Sequence, residues 1–232
     1  MFAVRPVGLV KTGFVWRPTI SADVTNFVLY SQAIAAGWDG VVPLDAEVTV
    51  GSGIVLSANS TSAYGFDTGS GFPAGTSLKL IMPGYVCGMG GAGGGPYTAG
   101  SNGGPALRAQ HAITIDALGG VTAGGGGGGG GSGYGGGGGG RTGRIGSAGG
   151  AGSYPGDAGT FSSGGAGGFG GAAGGTTGPG GEGDSEKSGG GGGWGAGGGA
   201  AGSYAGGTGG AAVVGNSYIT WINTGTRYGA IT

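Results

Sequence analysis

The chain has 232 residues, of which 73 are glycine, against a usual glycine share of about 7%. Glycine orders at the largest entropic cost and brings no side chain to bury, so a third of the chain adds nothing to a side-chain core and the composition argues against an ordinary enzyme. Charged residues are 8% with a net charge of -1, which leaves no basic field for nucleic acid or an anionic membrane, while 37% hydrophobic content sets the chain apart from disordered polymers.

In chain order, residues 1–22 read as an extended arm bearing Phe2, Phe14 and Trp16. Arg5, Pro6 and Lys11 interrupt its apolar patches, so no secretory signal is expected, and no stretch of 18 residues is apolar enough to span a bilayer. Thr25 to Ala36 has helical spacing, with Phe27, Tyr30 and Ile34 on one face and Gly37 placed as a stop. One short amphipathic helix is predicted there.

A pattern of alternating apolar residues, a glycine-bearing turn and a second apolar segment then recurs. It runs through Val48–Val50 and Ile54–Leu56, Leu78–Leu80 and Tyr85–Val86, Ile113–Ile115 and Val121, and Ile219–Trp221 and Thr226–Tyr228. These are strand-turn-strand signals, and units of this size stack to bury an apolar face that one unit alone exposes. Three such rungs precede the glycine-rich half and the fourth closes the chain behind it.

Residues 119–215 hold 51 glycines in 97 positions, whereas residues 1–87 hold 11. Nine prolines and no Gly-X-Y register exclude collagen. A flexible linker remains an alternative, but it has no reason to keep the Gly-Gly-X phase seen at 164–172 and 206–211. A polyproline-II-like helix turns every three residues, so Gly-Gly-X puts all side chains on one edge and leaves two edges bare for close backbone approach. The prediction is a bundle of polyglycine helices, with Gly124–Gly131 and Gly135–Gly140 in its middle and the Gly-Gly-X runs on its faces.

The intervening segments carry Tyr97, Arg141, Arg144, Tyr154, Phe161, Trp194 and Tyr204, with Asp157 and the cluster Glu182, Asp184, Glu186 and Lys187. Loops on a rigid scaffold concentrate binding residues, and Tyr and Trp give large contact area at low rotamer cost. Those seven are the candidate binding residues. Phe2, Phe14, Trp16, Phe27, Tyr30 and Ile34 form the candidate attachment face.

The segments Ala35–Gly40, Gly84–Gly91, Ile113–Ile115 leading to Gly124–Gly131, and Ile219–Gly229 resemble those of glycine-rich adhesins at the tail-fibre tips of T-even-like bacteriophages. The resemblance implies a polyglycine-II sandwich, an N-terminal part attached to the distal end of a tail fibre, and loops that contact an outer-membrane protein or surface glycan. It implies a place on the virion, with synthesis in the host cytoplasm.

Catalytic signals are sparse. Cys87 and His111 are the only residues of their kinds, which excludes an internal disulfide and a Cys/His zinc site, and no phosphate loop or cofactor motif is present. No cofactor and no metal are expected, and the chain is read as a non-enzyme. The expected fold is mostly β and irregular: residues 1–87 an attachment and rung part with one short helix, 88–215 a polyglycine-II sandwich with a rung near 111–123, and 216–232 a strand segment closing on the scaffold. A tail-tip cap without specific binding is the alternative. An ice-binding slab is a third reading, disfavoured by aromatic and charged loops where ice requires a flat, regular face.

Overall fold

A computed structural model describes residues 13–183 and 186–232; the expectation for Phe2 lies outside them. The alternating segments become strands that follow one another around a three-sided parallel β-helix. The first rung holds β1 (Phe14–Trp16), β2 (Thr19–Ile20), β3 (Val24–Thr25) and β4 (Phe27–Val28), followed by α1 (Leu29–Ala35). The second holds β5 (Leu44–Val50), β6 (Val55–Ser57) and β7 (Phe66–Asp67). The third holds β8 (Ser77–Ile81), β9 (Tyr85–Cys87) and β10 (Leu107–Arg108), and the fourth β11 (Ile113–Asp116), β12 (Val121–Ala123) and β13 (Val213–Val214). The last comprises β14 (Ile219–Asn223) and β15 (Thr226–Tyr228).

Like strands of successive rungs pair in parallel, giving a first sheet β1-β5-β8-β11-β14 with β2 also on β5, a second sheet β15-β12-β9-β6-β3, and a third sheet β13-β10-β7-β4. Alternation decides which side chains enter the core: Leu44, Ala46, Val48 and Val50 of β5 are buried, while Asp45, Glu47 and Thr49 between them face outward. The same phase brings Leu78, Leu80, Ile113 and Ile115 inward, and Leu56, Val86, Phe66 and Leu107 close the core from the other two sheets. The corner between first and second sheets is made by Gly53, Gly119 and Gly225 in three of the rungs, all at positive φ, a conformation that costs glycine least.

The mostly-β expectation with one short helix is met, and the stacked rungs form where the repeat predicts them. The helix is shorter than predicted. Val24–Thr25 and Phe27–Val28 pair with β6 and β7, so interstrand bonds override the helical spacing there, and Phe27 enters the core stacked on Phe66 at 5.7 Å. Helical geometry begins at Leu29 and ends beside Gly37, at φ 100. Tyr30 packs against Trp38 and Phe72, whereas Ile34 is exposed.

The rungs differ at the corner between the second and third sheets. The first rung crosses it on a single residue, Asn26, at φ 50. The second uses residues 58–65. The third leaves at Cys87 and returns at Leu107, and the fourth leaves at Ala123 and returns at Val213. Both glycine-rich excursions therefore spring from one corner of two successive rungs.

Within the excursions the chain runs back and forth in segments joined laterally by backbone hydrogen bonds. Gly125, Gly128 and Gly131 donate to Gly104, Ser101 and Thr98; Gly126 and Gly129 donate to Arg141 and Gly138; Gly127 and Gly130 donate to Ala196 and Gly199. Every third residue addresses the same neighbour. The carbonyls of this run accept from three further runs, through Gly91 and Gly94, Gly189 and Gly192, and Gly207 and Gly210. Six runs thus surround 124–131, and runs 135–141 and 189–193 are surrounded in the same way.

These three runs touch one another. The other segments, 88–95, 148–152, 156–160, 164–168, 171–175, 180–183, 196–200, 205–210 and 98–104, follow one another in that order around them, each bonded to the next. Burial follows from this placement. The glycines of 124–131, 135–140 and 189–193 are all buried, while the side-chain positions of the Gly-Gly-X stretches are exposed at Phe169, Ala172 and Thr208 and half-buried at Ala166 and Ala211. A Cβ on Gly128 would overlap the Ala92 carbonyl and one on Gly127 the Gly207 carbonyl. No side chain fits there.

Candidate functional site

Because run 124–131 starts at β12, Gly124 lies beside the β-helix and Gly131 at the far end. The paired runs place every other reversal accordingly. Reversals near Tyr97, Tyr134, Tyr154, Phe169, Glu186 and Tyr204 fall at the far end, and those near Arg141 and Arg144, Phe161, 175–179 and Trp194 fall against the β-helix. The seven candidate binding residues thus divide between two ends of the slab.

At the far end, Tyr97 and Tyr204 meet edge to face at 5.8 Å, and Tyr154 and Phe169 lie 5.3 Å apart. The central reversal, 132–134, is anchored by the buried Ser132, whose hydroxyl lies 3.3 Å from that of Ser188 and accepts from the Gly135 N–H. Tyr97, Tyr134 and Tyr154 are 61%, 63% and 52% exposed, and Phe169 is 39% exposed. Aromatic rings held this far into water on rigid turns are free to make contacts with a partner. Tyr97 also adopts φ 56, a strained value for a residue with a Cβ. Around this end the order is Tyr97, Tyr154, Phe169, the charged turn with Glu186 and Lys187, and Tyr204, with Tyr134 at the centre. Asp157 lies away from it, on an outer run.

The opposite end is built as a seam. Trp194 is 4% exposed and packs among Phe161, Tyr85 and Tyr228, with ring centroids 5.3, 6.2 and 5.9 Å away. Its indole N–H donates to the Thr142 carbonyl at 3.3 Å. Arg141 is buried over the Trp194 ring, 3.4 Å from its centroid, and donates to the carbonyls of Phe161 at 2.8 Å and Thr176 at 2.6 Å. Arg144 covers Phe161 and pairs with Asp23 of the first rung at 3.1 Å. Cys87 lies in the same cluster; burial pushes its thiol up to about 12, against smaller opposing effects of Arg141 and Arg144. Arg141 itself is shifted down by burial.

Sequence reasoning singled out Tyr97, Tyr154 and Tyr204, which the fold brings to the far end, together with Arg141, Arg144, Phe161 and Trp194, which it brings to the seam. Tyr134 and Phe169 were not singled out. The available signal was parity: starting from a run known to leave the β-helix, each reversal alternates between near and far. Of the attachment candidates, Phe14 and Trp16 are half-buried on the first strand of the first sheet, Phe27 is interior, Tyr30 half-buried and Ile34 exposed. Val15 and Val41, both more than 60% exposed, lie at the same first-rung end.

The class these features define is a display scaffold: a rigid body that holds a set of aromatic turns away from its base. The chain belongs to the phage tail fibre adhesin Gp38 family, whose profile matches residues 16–232. It is similar to a chain in the crystal structure of the gp37-gp38 adhesin tip complex of the bacteriophage S16 long tail fiber, at 27% identity and a TM-score of 0.67, over 95% of this chain and 82% of that one. No curated protein matches it. Membership of the family makes it a bacteriophage tail-fibre adhesin, a binding component of the virion tail.

Proposed function

We propose that the chain caps the distal end of a tail fibre through its β-helix and recognises a bacterial surface receptor, an outer-membrane protein or surface glycan, through the turns at the far end of the slab. In this reading residues 1–87 attach, 88–215 form a polyglycine-II sandwich that includes a β rung near 111–123, and 216–232 close the scaffold. The three-residue hydrogen-bond period and bare backbone contacts support the polyglycine-II geometry. The solved relative, a fibre-adhesin tip complex, supports attachment to a fibre. Val15 of β1, Ile34 of α1 and Val41 in the connection to the second rung are exposed apolar residues that suit it. Neither nucleic acid nor membrane insertion enters.

The observation that carries recognition is the sorting of aromatic residues: those at the base are buried or half-buried in the seam, whereas Tyr97, Tyr134, Tyr154 and Phe169 at the far end are exposed. Adsorption of purified protein to host cells tests it. Tyr97→Ala and Tyr154→Ala, each folded like the parent, are expected to lose about 2 kcal/mol, near thirtyfold in affinity, with a Glu182→Ala/Glu186→Ala control changing far less. Parental adsorption by every folded variant would leave a cap without specific binding.

A further inference from the structure

We infer that the chain is two separately folding bodies, and that the β-helix holds the fibre end whether or not the glycine slab is folded. The second half of this statement rests on the fibre attachment proposed above.

The geometry of one corner carries the argument. Thr25, Ser57 and Cys87 end the second-sheet strands of successive rungs in register, and Ala123 pairs with Cys87 in the same row. Phe27, Phe66, Leu107 and Val213 begin the third-sheet strands, again in register. The gap to be crossed is therefore set by the stacking and recurs in each of these rungs. Asn26 alone crosses it in the first rung. Residues 88–106 and 124–212 are thus long detours across a distance that one residue spans, and the helical path is complete without them.

Cohesion divides within one residue of the same boundaries, the core keeping Ala106 and Ala212. Every buried side chain of the main core, from Ile20 and Leu44 to Ile115 and Val213, lies outside residues 88–105 and 124–211. The three central runs of the slab, 124–131, 135–140 and 189–193, carry no side chains and are joined by peptide hydrogen bonds. A small seam joins the two: Val55, Cys87 and Ala123 of the second sheet with Trp194, flanked by Tyr85, Val121, Phe161 and Tyr228. One body coheres by burial of apolar surface and the other by amide pairing, so an agent that solvates peptide groups loosens them unequally.

Native-state hydrogen exchange of the full chain in rising urea gives the first test. The expected result is an opening of Gly124–Gly131, Gly135–Gly140 and Gly189–Gly193 at lower urea than the opening of the amides in β5, β8 and β11. One common opening isotherm for both sets overturns the inference. The second test uses full-length Gly128→Val, whose added side chain meets the Ala92 carbonyl, in competition with the parent for purified fibres lacking their tip protein. With β5, β8 and β11 amides still protected, soluble variant is expected to occupy fibre ends within about twofold of the parent while adsorption to cells is lost. A tenfold or greater loss of occupancy in that state, or loss of β-helix protection, overturns the inference. If the parent itself fails to occupy the fibre, the attachment reading falls, and the exchange isotherms still decide whether the bodies are separate.

Discussion

Trp194 and Tyr97 show how similar residues acquire opposite roles from the end of a run at which they stand. Trp194 fills the seam, so Trp194→Ala removes packing and the ring beneath Arg141; a loss of about 3–5 kcal/mol in urea unfolding is expected. Tyr97→Gly instead relieves a left-handed backbone, and thermal melting is expected to show no loss of stability while adsorption falls. Thr122 faces the core with no partner for its hydroxyl. Thr122→Val keeps the shape and removes an unsatisfied donor, and a gain of about 1 kcal/mol in the free energy of urea unfolding is expected. Cys87 adds a pH effect. Its folded value lies above its unfolded one, so its contribution is fully present below about pH 9 and is lost as pH rises toward 12, where ionisation of the unfolded thiol favours unfolding. Native protein at pH 8 is accordingly expected to resist thiol reagents that label it at once in denaturant.

Among the elements, legibility followed side-chain period. β5, β8, β11 and β14 alternate over four or more residues and were readable as rungs, whereas the third sheet consists of two-residue strands, too short for any alternation to register. The helix was overextended because Phe27, Tyr30 and Ile34 share a helical spacing that pairing of β3 and β4 overrides. Uninterrupted glycine runs marked the slab interior, since any side chain would expose itself by its cost; the far-end aromatics were only partly legible, because near and far turns have similar compositions. Both end strands of the first sheet are blunted, by Pro18 between β1 and β2 and by a register shift opposite Ile115 and Asp116 that leaves Ile222 unpaired in β14, as suits an open sheet edge. Asn26 is the single-residue corner, and its side chain accepts from the Asn59 N–H at 3.0 Å. Asn26→Val, which combines a branched Cβ with φ 50 and loses that bond, is expected to destabilise by about 2 kcal/mol in urea, and Asn26→Gly by less.

At the scale of the molecule, charge contributes little to cohesion. The ion pairs Arg17–Asp45, Lys79–Glu47, Arg108–Asp67 and Arg144–Asp23 lie at or near the surface except for the buried Asp67 carboxylate. Raising ionic strength from low to physiological levels is expected to leave the melting temperature almost unchanged. Hydrogen bonds between bare backbones act instead, and their three-residue period has a genetic consequence. Glycine is encoded by near-identical codons, so tracts such as those for 124–131 invite copying errors that add or remove whole residues. One extra glycine turns everything after it by a third of a revolution and offers each amide to the wrong neighbour; three extra glycines restore the phase and lengthen that run by about 9 Å. Length changes that survive in these tracts are therefore expected to come in triplets of codons, a reading frame within the reading frame.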